Sequence, residues 1–191
     1  DIYSSSPFIN KKILITAGPT YESIDPVRFI GNHSSGLMGI SLAEVAASLG
    51  AEVDLILGPT SLSCTNDNIH VYRVNTADEM LFKTQELFSN CNIAIFSAAV
   101  SDYKAAYVSK QKKKRTNKDF TISLVPTKDI IKETTIHKST NQFIVGFALE
   151  TENELENAKL KLKEKNLDMI VLNSLNDAGA RFKGLKNKVS I

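Results

Sequence analysis

Residues 30–39 read Ile-Gly-Asn-His-Ser-Ser-Gly-Leu-Met-Gly and combine amide, imidazole and hydroxyl groups with glycine. They lie between a strand predicted over Lys12–Thr16 and a helix predicted over Ser35–Leu49, where apolar residues recur at helical spacing. A strand, a polar glycine-containing loop and a helix N-terminus bind phosphate-bearing ligands in α/β proteins. The chemistry predicted here is therefore anion binding. The spacing is not G-x-G-x-x-G, which excludes a plain dinucleotide fingerprint.

The groups in this loop suit an anionic ligand in distinct ways. Ser34 or Ser35 is predicted to cap the helix, and free N–H groups and hydroxyls up to Gly36 would face the anion. Asn32 adds an amide donor beside them, suited to stabilising an acyl oxygen. Gly18 lets the chain leave the strand sharply and lets backbone approach a ligand. The connection is also far longer than a usual βα turn, which is typical of functional or disordered loops.

Two further strand ends carry candidate ligand contacts. A buried strand predicted over Asn92–Ala98 runs into Ser97-Ala98-Ala99-Val100-Ser101-Asp102-Tyr103. Its small residues leave room for a ring, and Asp102 can accept from a ribose or a base; the alternative is a tight turn. Ligands of open α/β sheets sit outside such carboxyl ends. Phe147, at the end of a later strand, could stack on a base or be a core aromatic.

The basic run Lys110-Gln111-Lys112-Lys113-Lys114-Arg115 has two interpretations. Like charges at this density favour a mobile, solvated loop. A mobile cationic flap could also close over a triphosphate and neutralise its charge. Lys161 and Lys165 lie four residues apart on a predicted helix and so share one face, either as surface lysines or as further anion ligands.

Composition limits the classes of protein that fit. With 191 residues the chain is one domain, or one domain and a small appendage. Its 23 basic and 21 acidic residues give a net charge of +2, which argues against a dedicated nucleic-acid binder. We expect no signal peptide, and no apolar run is long enough to span a membrane. Two cysteines without ligand spacing, Cys64 and Cys91, favour a cytoplasmic protein.

The order of predicted elements sets the fold class. Strands and helices alternate, which predicts an α/β fold with a Rossmann-like, doubly wound, mostly parallel sheet and a basic flap loop. Residues 1–10 are predicted to be a leader or linker and residues 11–191 the domain, truncated at its C-terminal end. Helices are predicted from capping boxes at Thr76 and Thr151 and from a cap at Thr127. The further predicted strands are Glu52–Leu57, Ile69–Val74, Asp119–Val125, Gln142–Phe147, Leu167–Leu172 and Asn187–Ile191.

Taken together, these segments resemble the phosphopantothenoylcysteine synthetase (phosphopantothenate–cysteine ligase) family, the second activity of the bacterial bifunctional coenzyme A biosynthesis protein. The resemblance covers nearly everything from Lys12 to Ile191. It rests on ITAGPT at 15–20, DPVRFIGNHSSG at 25–36, AAVSDY at 98–103, the lysine cluster, VGFALET at 145–151 and KNLDMIVLN at 165–173.

The resemblance implies a reaction and a set of roles. Members join 4′-phosphopantothenate to L-cysteine, and bacterial members activate the carboxylate with CTP and Mg²⁺ through an acyl-cytidylate. Asn32 matches the residue that stabilises this intermediate, and Lys112 matches the catalytic lysine, with Lys110 as the alternative if the alignment shifts by two residues. The implied nucleotide contacts, beside Gly18, Ser34, Ser35 and Gly36, are Phe96, Ser97, Ala98, Asp102, Lys128, Asp129, Ile130, Ile131, Phe147, Lys161 and Lys165.

The family also implies a cytoplasmic homodimer, and FMN only if a flavin decarboxylase domain precedes residue 1. No nucleic-acid or membrane partner is expected. Two other classes of function stay open at this point. One is an NAD(P)-binding Rossmann-type oxidoreductase, because the first strand, loop and helix are Rossmann-like. The other is a scaffold or nucleic-acid module that uses the lysine run, which the near-neutral net charge disfavours.

Overall fold

The computed structural model describes residues 6–115, 117, 119–150, 153–174 and 189–191, with only the backbone of Leu149, Glu150 and Ser174. Strands and helices alternate along it as the sequence predicts. In chain order they are β1 (Lys12–Ala17), β2 (Tyr21–Ser23), β3 (Phe29–Gly31), α1 (Leu37–Ser48), β4 (Glu52–Leu57), β5 (Ile69–Arg73), α2 (Ala77–Phe88), β6 (Ile93–Phe96), β7 (Tyr103–Ala105), β8 (Leu124–Pro126), α3 (Ile130–Thr135), β9 (Phe143–Glu150), α4 (Glu154–Glu164), β10 (Met169–Ser174) and β11 (Val189–Ser190).

Seven of the described strands form one sheet in the order β11-β10-β9-β6-β1-β4-β5. All neighbours run parallel except β11, which pairs antiparallel to β10. The chain moves outward from β1 through β4 to β5, then returns to the other side of β1 with β6. The predicted doubly wound α/β fold is therefore confirmed, and its topological switch point lies between β1 and β6.

Both faces of the sheet are covered. On one face α1 packs its alanines against Ile13, Ile15 and Leu55. On the other face α2 and α3 pack against Leu14, Ile56 and Ile144. Because both faces are buried, the central strands read as nearly continuous apolar runs, as is usual for parallel sheets.

The capping box predicted at Thr76 forms, and a glycine ends the preceding helix. The Thr76 hydroxyl accepts from the Glu79 N–H at 3.2 Å, and the Glu79 carboxylate accepts from the Thr76 N–H at 3.3 Å, which completes the capping box of α2. Gly50 follows α1 with a left-handed φ of +93° and donates its N–H to the Ala47 carbonyl. A left-handed glycine directly after a helix is a common way to end it.

Two other predicted caps are wrong, and a third falls on a residue outside those that the structure describes. Helix α1 has Gly36, not Ser34 or Ser35, as its N-cap. Helix α3 is capped by Asp129 rather than Thr127, because the Asp129 carboxylate accepts from the Lys132 N–H at 3.1 Å. The N-cap of α4 is Asn153 in a left-handed conformation. The predicted cap residue of that helix, Thr151, lies outside the described residues.

The long connection after β1 is not an irregular loop. It contains the hairpin of β2 and β3, in which the rings of Tyr21 and Phe29 stack with centroids 3.9 Å apart. The strand predicted over Asp119–Val125 is wrong over most of its length, because only its last two residues belong to β8, which pairs with β7. None of the helices in the described part of the chain is long and apolar enough to cross a lipid bilayer.

Candidate functional site

The switch point between β1 and β6 is closed above the strand ends by tight backbone contacts. The Ala99 N–H donates to the Gly18 carbonyl at 2.8 Å, and Pro19 forms a parallel bridge with Ala99. The Ser97 hydroxyl donates to the Thr16 carbonyl at 2.7 Å. These contacts hold the exits of both strands together, and the predicted contacts Gly18, Ser97 and Ala98 meet here.

Three glycines bring backbone segments into close approach at this edge. Gly18 and Gly36 have left-handed φ values of +79° and +78°, and a Cβ on Gly36 would lie 3.3 Å from the Gly18 Cα. Gly39 lets α1 lie directly on β1, because a Cβ there would lie 2.3 Å from the Ala17 Cβ. A dinucleotide fingerprint uses its glycines for the same turn, close approach and helix packing. Here the β2–β3 hairpin separates the first glycine from the other two.

The start of α1 is suited to an anion, although not through the predicted serine cap. The N-cap residue, Gly36, has no side chain, and no acidic residue lies in the first turn. The hydroxyls of Ser34 and Ser35 accept from the N–H groups of Gly36 and Leu37, both at 3.3 Å. The positive end of the helix dipole therefore has no carboxylate to compensate it.

Asn32 lies immediately after β3, at the exit of the hairpin. Its side-chain Nδ2 donates to the Val100 carbonyl at 2.9 Å and lies 3.4 Å from the Ala99 carbonyl. Both acceptors belong to the segment that follows β6. The predicted catalytic amide therefore sits at the switch point, where it joins the hairpin to the β6 exit. His33 beside it is exposed.

Phe96, Ser101 and Asp102 have different surroundings. Phe96 is 5% exposed and packs in the core, so its ring is not available to a ligand at the sheet edge. The buried Ser101 N–H donates to the Thr20 hydroxyl at 3.0 Å. Asp102 is exposed, and its carbonyl accepts from the Thr127 N–H at 2.9 Å. That bond brings the start of α3 to the β6 exit.

A second group of predicted contacts gathers at the start of α3. The Asp129 carboxylate lies 3.0 Å from the Lys165 Nζ. Two residues predicted to contact the nucleotide therefore form an ion pair with each other. Burial alone would raise the pKa of Asp129, but the Lys132 N–H and the Lys165 ammonium together hold it below its ordinary value. Lys128 is exposed and Ile130 is in the core. The side chains of Ile131, Phe147 and Lys161 are half-buried.

The basic segment, defined here as residues 109–115, is held by its backbone. The Ser109 N–H donates to the Ile24 carbonyl at 2.9 Å, and the Lys113 carbonyl accepts from the Arg28 guanidinium at 2.7 Å. The side chains of residues 110–115 are exposed, as predicted for a charged loop. Lys112 and Lys110 both lie within the fastened stretch. The two candidates for the catalytic lysine are therefore on one anchored segment.

Sequence reasoning missed Gly39 and Gly58 as parts of this edge. A Cβ on Gly58 would lie 1.8 Å from the Pro19 carbonyl oxygen. Because that oxygen belongs to the backbone, no side-chain movement could relieve the clash. In the sequence, the Gly58-Pro59 pair after β4 indicates only the end of a strand. The G-x-x-G spacing of Gly36 and Gly39 was the signal that could have identified the helix half of the turn.

A family model describes nearly the whole chain. The model for the DNA/pantothenate metabolism flavoprotein C-terminal domain matches residues 8–191. The chain belongs to this family. The resemblance carried by the NHSSG and AAVSDY segments is thereby confirmed at the family level.

Curated relatives of this flavoprotein C-terminal domain agree. The chain is 40% identical over 191 residues to the coenzyme A biosynthesis bifunctional protein CoaBC of Vibrio vulnificus, covering 99% of this chain and 47% of that protein. It is 50% identical over 188 residues to a protein named cysteine/cysteine sulfinic acid decarboxylase, from an unknown prokaryotic organism, covering 98% of this chain and 52% of that protein. The chain thus spans about half the length of these relatives.

Solved structures give the same fold. The crystal structure of the C-terminal domain of CoaBC is 44% identical with a TM-score of 0.78, covering 88% of this chain and 80% of that one. A Cab2 mutant in complex with phosphopantothenate-cysteine has a TM-score of 0.75 over 87% of this chain and 73% of that one. At 23% identity, that second likeness supports the fold alone.

Proposed function

We propose that this chain joins 4′-phosphopantothenate to L-cysteine and uses CTP to activate the carboxylate. The observation that carries the proposal is the convergence of parts at the switch point. The Gly18–Gly36 turn, the uncompensated start of α1 and the Asn32 amide meet there, and an exposed lysine segment is fastened to the same hairpin. Membership of the flavoprotein C-terminal domain family supports this choice of reaction.

The first step needs charge neutralisation and alignment. A carboxylate oxygen of phosphopantothenate attacks the α-phosphorus of CTP, the bond to the oxygen that bridges to the β-phosphate breaks, and pyrophosphate leaves. The ammonium of Lys112 would stabilise the departing pyrophosphate, and the N–H groups at the start of α1 would hold the phosphates. Gly18 and Gly36 let the β1 exit and the start of α1 approach each other closely, so the N–H groups of both segments lie at the same edge.

The second step needs a donor for an oxyanion. The cysteine amine attacks the acyl carbon, the carbon–oxygen bond to CMP breaks, and the amine nitrogen loses a proton. The Asn32 amide already donates to the Val100 carbonyl at 2.9 Å, whereas its 3.4 Å contact to Ala99 is at the weak end of the hydrogen-bond range. Its second N–H is thus the one available for the acyl oxygen.

Magnesium fits this site as an ion bound mainly by the phosphates of CTP rather than by the protein. The described residues contain no group of three or more His, Cys, Asp or Glu side chains that could hold a metal. Mg²⁺ usually keeps waters and substrate phosphates as most of its ligands, with one or two carboxylates. Asp102 is the exposed carboxylate that the β6 exit offers. When bound, the ion supplies further neutralisation of the triphosphate.

A nucleotide panel tests the proposal. With phosphopantothenate, CTP and Mg²⁺ we expect pyrophosphate release, followed by CMP release that requires cysteine. We expect ATP to support turnover far less well, and equal kcat/KM values for the two nucleotides would contradict the choice of CTP. If no nucleotide releases pyrophosphate while NADPH binds, the oxidoreductase interpretation replaces the ligase.

The proposed enzyme is a homodimer. Apolar side chains are exposed on the β2–β3 hairpin, on β7 and in the segment that follows β7, including Phe29 at 50%, Tyr103 at 54% and Tyr107 at 76%. Exposed apolar patches of this kind mark interaction surfaces. A second copy of the chain is the partner that the family resemblance implies. A sizing run should give twice the mass of the chain, and a single-chain mass would contradict the dimer.

A further inference from the structure

The turn between β2 and β3 buries a carboxylate that the proposed reaction does not itself use. Asp25 is 2% exposed. One of its oxygens accepts from the N–H groups of Val27 and Arg28, at 2.8 and 2.9 Å, within the same turn. The other oxygen accepts from the Lys113 N–H at 3.2 Å, a residue 88 positions further along the chain. The carboxylate thus joins two distant segments.

The same turn holds the basic segment at both ends of a short stretch. The Ser109 N–H donates to the Ile24 carbonyl, and the Lys113 carbonyl accepts from Arg28. Within the stretch the Ser109 hydroxyl donates to the Gln111 carbonyl at 2.8 Å. Lys112 lies between Gln111 and Lys113, whose backbone groups are held. Its backbone is therefore fixed while its ammonium stays in solvent.

We propose that Asp25 is a positioning residue for Lys112, resting on the role that the proposed function gives to that lysine. Asp25 precedes β3 and Asn32 follows it, so one hairpin would set the place of both groups. The Asp25 carboxylate binds the basic segment to this hairpin, and the Asn32 amide binds the hairpin to the segment that follows β6. The two catalytic groups are then held in a fixed relation, as a two-step ligation requires.

An ionised carboxylate suits this role better than an amide. Three backbone N–H groups donate to Asp25 and the Arg28 guanidinium lies 3.6 Å from its carboxylate, and hydrogen bonds to a charged acceptor are roughly twice as strong as neutral ones. The N–H of Val27, with those of Lys113 and Arg28 and the nearby guanidinium, holds the pKa of Asp25 below its ordinary value despite its burial. The Asp25 carboxylate is therefore charged throughout the physiological pH range.

The competing explanation is that Asp25 only shapes its own turn. Two variants at Lys113 separate the two explanations without touching that turn. Lys113→Pro removes the N–H that Asp25 accepts, and Lys113→Ala loses the same charge but keeps the N–H. Proline also fixes the backbone at residue 113 and restricts that of Lys112, so a change shared by Lys113→Pro and Asp25→Asn but absent from Lys113→Ala reports the bond to Asp25. Asp25→Asn is the complementary change, and circular dichroism checks that each variant folds.

The first measurement needs no substrate. Trypsin cleavage of the Lys110–Gln111 bond in the full chain is followed by mass spectrometry, and that bond is unchanged in every variant. We expect Lys113→Pro and Asp25→Asn to be cleaved about tenfold faster than the parent, because opening of the segment limits cleavage. We expect Lys113→Ala to be cleaved at the parent rate. Cleavage of Lys113→Pro at the parent rate would contradict the claim that the bond to Asp25 holds the basic segment in place.

The second measurement is CTP-dependent ligation. We expect kcat of Lys113→Pro to fall about tenfold below that of Lys113→Ala, with the KM for CTP within about threefold, because a misplaced Lys112 weakens chiefly the transition state. Equal kcat values for the two variants would overturn the positioning role even if cleavage differs. If the parent chain performs no ligation, the proposed function fails and the positioning role fails with it, while the cleavage result still decides whether the anchor exists.

Discussion

The two edges of the sheet carry charged groups in different arrangements. At the amino edge, where the parallel strands begin, the Lys12 ammonium lies 3.0 Å from the Glu52 carboxylate and 3.1 Å from that of the buried Asp54. The Lys138 ammonium lies 2.8 Å from the Asp168 carboxylate. At the carboxyl edge, Asp102 and Lys112 are exposed, and neither makes an ion pair with any described residue. Paired charges stabilise the fold, whereas unpaired charges beside glycine turns are available to a ligand. The comparison teaches that the partner of a charge, more than its presence, separates structural from functional positions.

The largest expected effect is at the carboxyl edge. Lys112→Gln should reduce the rate of the first half-reaction by about 10²–10³, because a preorganised group at the phosphate site is lost. Its free energy of unfolding should stay within about 0.5 kcal/mol of the parent, since the side chain is exposed. Single-turnover pyrophosphate release and urea unfolding measure the two quantities.

Lys110→Gln is the matched control for that change. It removes the same charge from the same anchored segment, and we expect it to be mild. If Lys110→Gln is the damaging variant, the catalytic lysine is two residues earlier than proposed. If neither variant is slowed, the basic segment is only a charged surface.

Asn32→Asp should have the next largest effect. It replaces a donor by a negative charge beside an electron-rich centre and also faces two carbonyl oxygens. We expect normal CTP affinity but single-turnover product formation slowed by about 10²–10³. A rate within a few-fold of the parent would leave Asn32 as a structural bridge only.

At the amino edge the pattern should reverse. Lys12→Gln removes the partner of Asp54, whose side chain is 1% exposed, and should lower the free energy of unfolding by about 1–2 kcal/mol. The figure is modest because Lys12 itself is 30% exposed. We expect kcat for ligation to stay within twofold. Adding Asp54→Asn should recover part of the stability, and a Lys12 variant that loses activity without losing stability would break the comparison.

The smallest expected effect is at Asp129, which is both a helix cap and a partner of Lys165. Asp129→Asn keeps the cap and loses the ion pair, so we expect a loss of under about 0.5 kcal/mol; Asp129→Ala also loses the cap and should cost about 1 kcal/mol. Because the pKa of Asp129 is lowered on folding, its contribution is complete above the pKa of the unfolded chain and is lost as pH falls through the folded value. If acid unfolding shows the same loss of stability for Asp129→Asn and Asp129→Ala relative to the parent, Asp129 does not stabilise α3 as its cap.

The sequence was sufficient for the sheet but not for the turns. Buried strands such as Glu52–Leu57 and the Thr76 capping box are local patterns, so they could be predicted without knowledge of the fold. The β2–β3 hairpin could not, because its strands have three residues each and depend on the contact between Tyr21 and Phe29. A helix cap such as Gly36 is equally invisible when two serines precede it.

The candidate site divides in the same way. Asn32, Gly18 and Asp102 were predicted because residue type and strand position indicate their chemistry. The adjacency of Gly18 to Gly36 could not be predicted, since 17 residues separate them in the sequence and only the hairpin insertion brings them together. The Asp25–Lys113 bond joins residues 88 positions apart and has no local signal. Long-range hydrogen bonds of this kind require the fold.

Hydrogen–deuterium exchange with CTP and Mg²⁺ tests the central claim most directly, because it locates the ligand by edge of the sheet. The account predicts slower exchange at the turns of the carboxyl edge, namely residues 18–20, 34–39, 97–102 and 109–113. It predicts unchanged exchange at the amino-edge turns, residues 49–51, 89–92 and 138–142, and no such protection from NADPH. Protection at the amino edge, or equal protection by NADPH at the carboxyl edge, would contradict the assignment of this edge as a CTP site.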